Sequence, residues 1–176
     1  MKLERFVRTP VEFNNCEVGD QLILGSGFTA TCQKMSEDGK YAAFCLDQYL
    51  DDNVPHYKAL NYMDEVYEKT DIFESVKDLI IPFKSGNALR LPYAEEFFGP
   101  IDWVVPSDKE QWPLMKDIKN RIAYRKGDYE CGWLANQHKE SASAFAVVDS
   151  CGYSPYYFAS YTLGVRPVFR LRLKAE

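Results

Sequence analysis

Hydrophobic and polar positions change their period twice along the chain, and those changes divide it into thirds. Between Val18 and Leu46, "VGDQLILGSGFTATCQKMSEDGKYAAFCL" breaks into short apolar-rich runs. That pattern predicts three strands, joined by turns at residues 25–27 and 37–40. The Asp-Gly inside "EDGK" tolerates the positive φ of a tight hairpin turn, and residues 41–46 are the expected central strand. Leu60, Met63 and Tyr67 then recur at helical spacing. A second helix is expected through Asp71, Phe73, Val76, Leu79 and Ile80, opened by Thr70-Asp71 and stopped by Pro82. "LRLPYAEEFFGP", from Leu89, predicts a short strand and then a helix that ends at Gly99. Residues 101–128 show no period and are expected to form a long connection with one helical turn. The remainder returns to strand patterns in "GWLAN", "SAFAVVD" and "GVRPVFRLRL". In the last of these Val168, Leu171 and Leu173 mix with Arg170 and Arg172, which predicts a wet face or an edge position.

Strands at both ends and helices between them imply an α+β fold in which the two chain ends meet in one sheet. The expected arrangement is a mixed, mainly antiparallel sheet flanked by helices and long loops. The expected organisation is a single domain over residues 1–176, strand-rich through 50, helical over 51–100, with a C-terminal part over 101–176.

Composition narrows the function classes. A chain of 176 residues with 46% hydrophobic and 27% charged positions can bury one core. No stretch approaches the roughly 20 apolar residues of a membrane span, and the N-terminus lacks the pattern of a secretory signal, so a cytoplasmic protein is expected. A net charge of -5 opposes general nucleic-acid binding, and the basic cluster from Leu114 to Lys126 reads as a solvated face. Five cysteines without a CxxC pair, alongside two histidines, argue against a disulfide framework or a zinc site; free, mostly buried thiols are expected.

The chemistry-bearing residues are sparse. Cys131 or Cys151 with His138 or His56 offers a thiol-dependent enzyme as one alternative, although His138 in "NQHKES" reads as a solvated surface residue. The acidic pairs Asp51-Asp52 and Glu95-Glu96 read as caps or solvated ends, and "GSGF" as a turn without a following helix. No catalytic residue, cofactor or metal is therefore expected. The segment "YSPYYFASY", Tyr153 to Tyr161, is different in kind. Tyr156, Tyr157 and Phe158 are consecutive and cannot all face one buried side, and the segment lacks the alternation of a half-buried strand. Some of these rings must face water or a partner.

Four fragments, "LRLPYAEEFFG", "QWPLMKDIKNRIAYRKGDYECGWLAN", "SASAFAVVDSCGYS" and "ASYTLGVRPVFRL", together resemble a domain family of unknown function found in gut bacteria and their phages. The same ending is similar to the variable proteins of diversity-generating retroelements, with the formylglycine-generating enzyme a remoter relative. The resemblance implies a C-type lectin-like fold. It matches Gly164, Val165, Arg166 and Pro167 to a fixed terminal motif, and Trp133, Phe145 and Val147 to scaffold positions. It also implies that Tyr153, Ser154, Tyr156, Tyr157, Phe158 and Tyr161 fall where members of the family present a variable binding surface. Ala135, Asn136 and Gln137 depart from the Arg and Ser that many relatives carry after the Trp-Leu pair.

The expected function is a non-catalytic binding protein encoded by a phage or prophage, in the host cytoplasm or associated with the virion. Its partner is a host protein or a small ligand, held by the aromatic segment with help from Trp133, Asn136 and His138; membrane and general nucleic-acid partners are not expected. A second alternative is a phage inhibitor that blocks a host defence complex through the acidic stretches "DQYLDD" and "EEFF".

Overall fold

The computed structural model describes residues 7–8 and 16–173. The fold is mixed α+β, with mostly antiparallel sheets and few helices. The chain forms two compact units, each built from separated segments: Met1–Asp47, Met63–Arg90 and Pro167–Glu176 in the first, Gln48–Tyr62 and Leu91–Arg166 in the second. The thirds expected from the pattern do not coincide with these units. Among the described residues no helix is long and apolar enough to cross a membrane.

The first unit is organised by a five-stranded sheet. Its strands are β1 (Val7–Arg8), β2 (Gln21–Ile23), β3 (Thr29–Met35), β4 (Tyr41–Leu46) and β10 (Val168–Arg172), in the order β1-β2-β3-β4-β10. The two chain ends do meet in one sheet, because β10 pairs antiparallel with β4. β3 holds the central position and β4 is its neighbour, correcting the expectation for residues 41–46. The β3–β4 hairpin turns where "EDGK" predicts, with Gly39 at φ 70.

Residues opposed across an antiparallel pair share a face. Leu22, Ala30 and Leu46 form one such row, and Cys32, Phe44 and Phe169 the next; all six are buried. Phe169 stacks on Phe44 with centroids 5.6 Å apart and meets Phe73 edge-on at 5.4 Å. β10 is the last strand of the sheet, with Arg170 half-buried and Arg172 exposed as an edge would require. Single bridges from Ile80 and Arg90 cover its outer side.

Helix α1 (Ala59–Lys69) buries Met63 and Val66, whereas Leu60, expected on its apolar face, is exposed. The expected second α-helix is a 3-10 helix over Glu74–Leu79. Thr70 does not cap it: its Oγ1 donates back to the Val66 carbonyl at 2.6 Å. Asp71 accepts from the Ser26 hydroxyl, and the Ile72 carbonyl accepts from the Gly25 N–H, so the lead-in is tied to the β2–β3 turn and cannot enter an α-helical start.

The second unit contains a small hairpin, β5 (Tyr124–Arg125) with β6 (Asp128–Tyr129), and a three-stranded antiparallel sheet. That sheet is β7 (Gly132–His138), β8 (Ser141–Val148) and β9 (Tyr156–Phe158). Helix α2 (Ala94–Phe98) and two 3-10 turns, Pro113–Lys116 and Ile118–Arg121, complete it.

The terminal "GVRP" motif has a physical reading here. Gly132 and Gly164 bridge in parallel, and the ring of buried Tyr49 lies against both. A Cβ on Gly132 would stand 2.1 Å from the Tyr49 ring, and one on Gly164 2.8 Å. Arg166 is buried, with its guanidinium over the Phe97 ring at 5.3 Å and donating to the carbonyls of Asn120 and Arg121.

Candidate functional site

The expected binding residues separate into an interior group and a surface group. Trp133 is 1% exposed and donates its indole N–H to the Val54 carbonyl at 2.8 Å. Asn136 is also buried. Its Oδ1 accepts from the Ala94 N–H at 2.7 Å, and its amide donates to Glu95 Oε1 at 2.7 Å and to the Val105 carbonyl at 3.1 Å. Both side chains have their polar atoms hydrogen-bonded within the fold, so neither presents a free polar group at the surface. Burial works against charge on Glu95, yet the Ser107 N–H and the Asn136 amide hold its carboxyl below the usual range.

The surface group is carried by β9. Tyr156 is 51% exposed, Tyr157 half-buried and Phe158 51% exposed, so the strand does alternate, contrary to the expectation from its sequence. Tyr156 opposes Ala146, and Phe158 opposes Ala144. Both alanines are fully buried. Small residues on the middle strand let large rings on its neighbours lie across it. Tyr157 points to the other face, where it opposes Phe145 and lies 5.5 Å from the Tyr161 ring.

Tyr156 does not stand alone. Its ring meets His138 at 4.7 Å and Trp103 at 5.7 Å, and Trp103 and His138 are 5.4 Å apart. Trp103 escaped the sequence reading because it sits in the stretch without period. The backbone brings it in: Lys139 donates its N–H to the Trp103 carbonyl, Val105 to the Gln137 carbonyl, and Val104 bridges His138. Asn136, by holding Val105, fixes that segment from inside. Three rings in mutual contact leave no gap for a guest between them, so they form a platform and not a cage. Phe158, on the same face of β9 as Tyr156, and Val105, two residues beyond Trp103, are exposed as well. His138 is therefore a member of an aromatic cluster, correcting its reading as a solvated loop residue. Its Nδ1 accepts from the Glu140 N–H at 3.0 Å, which selects the tautomer with the proton on Nε2.

Of the other expected residues, Tyr153 is 63% exposed, Tyr161 exposed and Ser154 half-buried. The turn before them is set by Asp149, whose Oδ1 accepts from the N–H groups of Cys151 and Tyr153 at 2.9 Å each.

On the opposite face of the sheet, His56 stacks on Phe145 at 3.5 Å and meets Trp133 edge-on at 5.2 Å. Its Nε2 donates to the Leu134 carbonyl at 3.1 Å, and burial pushes its pKa down to about 4. Among the described residues neither histidine hydrogen-bonds a thiol. Burial raises the Cys131 thiol, the opposite direction from an activated nucleophile. Among the described residues no group of three or more His, Cys, Asp or Glu converges to hold a metal ion.

Comparison with known proteins leaves this geometry as the guide: no family model matches the chain, and no curated protein or solved structure matches it.

Proposed function

We propose that the protein is a non-catalytic binding protein, built on a C-type lectin-like scaffold and encoded by a phage or prophage, that recognises a host protein or small ligand through the platform of Trp103, His138, Tyr156 and Phe158. One observation carries the reading. Tyr156 and Phe158 each leave half their surface in water although they sit on an ordered strand over buried alanines. Rigid aromatic rings with a polar edge contribute large contact area at low entropic cost. His138 adds a directional donor through Nε2. The residues that brace the platform from below, Asn136 and Trp133, have no free polar group and give it a fixed shape.

The test is a capture from host-cell lysate by the native protein beside a Tyr156→Ala/Phe158→Ala variant, with folding of both checked by circular dichroism. A partner held by the native protein and lost by the folded variant supports the reading. Equal capture by both overturns it.

A further inference from the structure

The chain turns sharply at Lys126 and Gly127, with φ 51 and 89, so β5 and β6 are joined by a two-residue loop. Tyr124 and Tyr129 are directly opposed across this hairpin, and opposed side chains leave the same face. Their ring centroids lie 4.3 Å apart with the planes inclined at 33°, and the Tyr124 hydroxyl donates to the Tyr129 hydroxyl at 2.7 Å. The oxygens are closer than the ring centres, so the rings converge toward their hydroxyl ends and the ortho carbons beside the oxygens approach each other. Both rings stand in water, at 41% and 58% exposure. The backbone that carries them is held from within the same unit: the Tyr49 N–H donates to the Tyr124 carbonyl at 2.7 Å, and Glu130 accepts from Arg125 at 2.7 Å and from Asn53 at 3.2 Å. The pair shares no residue with the aromatic platform.

Two exposed phenols in this geometry have a chemistry that neither ring has alone. We propose that Tyr124 and Tyr129 form an oxidative cross-linking site, closed to an intramolecular dityrosine when a haem peroxidase uses hydrogen peroxide as oxidant. Each phenol loses one electron and one proton, giving two phenoxyl radicals whose unpaired electrons are shared with the ortho carbons. A carbon–carbon bond forms between one ortho carbon of each ring; the hydrogens on those carbons leave as protons, and each oxygen regains a proton. The two electrons and two protons lost overall reduce the peroxide, whose O–O bond breaks to give two waters. Exposure of both rings admits the oxidant, and mounting them on one hairpin turns the encounter of two radicals into a step within one molecule. The product staples β5 to β6 on their exposed side. The ring pair Tyr157 and Tyr161 is wider, with centroids 5.5 Å apart and planes inclined at 60°.

The test treats the full chain, in dilute solution, with a plant haem peroxidase and limiting hydrogen peroxide, followed by tryptic peptide mapping. Trypsin cuts after Arg125 and Lys126, so Tyr124 and Tyr129 fall in separate peptides, residues 122–125 and 127–139. The expected product runs as a monomer on a denaturing gel, shows dityrosine fluorescence, and yields these peptides joined and lighter than their sum by two hydrogens. Tyr124→Phe and Tyr129→Phe each remove the joined species, whereas Tyr57→Phe and Tyr161→Phe keep it. Dityrosine found only between separate chains, linkage at other tyrosines in place of this pair, or no joined peptide under conditions that couple free tyrosine overturns the proposal.

Discussion

The two sheets treat their second faces in opposite ways. In the first unit, the face turned away from Phe44 and Phe169 carries a polar network centred on Asp47. Asp47 accepts from Gln21 Nε2 at 2.8 Å, from Thr29 Oγ1 at 2.7 Å and from Thr31 Oγ1 at 2.6 Å. The Gln21, Thr29 and Thr31 side chains there all donate to one carboxylate within the sheet, so little drives a partner to displace water at that end. In the second unit, the face carrying Tyr156 and Phe158 leaves large apolar rings in water, while Asn136 and Trp133 in the frame are hydrogen-bonded within the fold. Water gains from losing the second surface and is indifferent to losing the first. Under the proposed function, the contrast also separates residues that hold, Tyr49, Asn136 and Trp133, from the exposed rings proposed to bind, Tyr156 and Phe158.

Disturbing the frame should have the largest effect. Gly132→Val drives branched carbon into the Tyr49 ring, which is itself packed and cannot retreat. Loss of at least about 3 kcal/mol is expected, beyond the usual range for overpacking because the contact is with a confined ring. Urea denaturation followed by circular dichroism measures it; an unchanged midpoint would show that Tyr49 can swing away.

Next comes Asn136→Ala, which strands the Ala94 N–H and removes a donor from Glu95. The expected destabilisation is about 2–3 kcal/mol. It should also blue- or red-shift the emission of Trp103, because the Val105 segment loses its tether. Trp112 and Trp133 are buried at 2% and 1% exposure, so acrylamide quenching reports chiefly on Trp103. Destabilisation without any change in quenching would show that Asn136 does not position the platform.

Acid should weaken the same frame through His56. Its folded pKa of about 4 lies below the ordinary 6.5, so as pH falls the unfolded chain takes up the proton first. The stability contributed by neutral His56 is fully present above about pH 6.5 and is lost progressively toward pH 4. The loss is about 3 kcal/mol at its limit. His56→Phe should flatten the stability profile in that window, and an unchanged slope would assign the acid sensitivity to other groups.

The smallest effect on stability belongs to the platform. Tyr156→Ala and Phe158→Ala should each shift stability by about 1 kcal/mol or less, because half of each ring is already in water. Partner affinity should fall at least about tenfold for each. That affinity should be nearly insensitive to salt, whereas a steep decline with ionic strength would favour recognition through "DQYLDD" and "EEFF".

Legibility in the sequence followed the range of the contacts. The β3–β4 hairpin is local, and Asp38-Gly39 announces it. The meeting of chain ends follows from the order of strand-like and helix-like periods, although no local signal names β4 as the partner of β10. The apolar spacing over Glu74–Leu79 is helical and predicts α where the chain forms a 3-10 helix; the bonds that divert its start come from Gly25 and Ser26, far back in the chain. The aromatic segment was recognisable from its density alone. Its alternation was hidden because β9 spans only three residues between turns. Trp103 had no pattern around it, and only the pairing of residues 103–105 with the end of β7 reveals its role. Trp133 and Asn136 have the residue types of ligand contacts, and burial, which sequence spacing does not encode at a polar position, assigns them to the frame.

The central claim is that the exposed rings bind and the frame beneath them only shapes them. Its most direct test is calorimetric titration of the captured partner into the native protein and into the folded Tyr156→Ala/Phe158→Ala variant at matched pH and salt. The account predicts saturable binding by the native protein and a loss of at least about 100-fold for the variant. Equal affinity of the two folded proteins would contradict it.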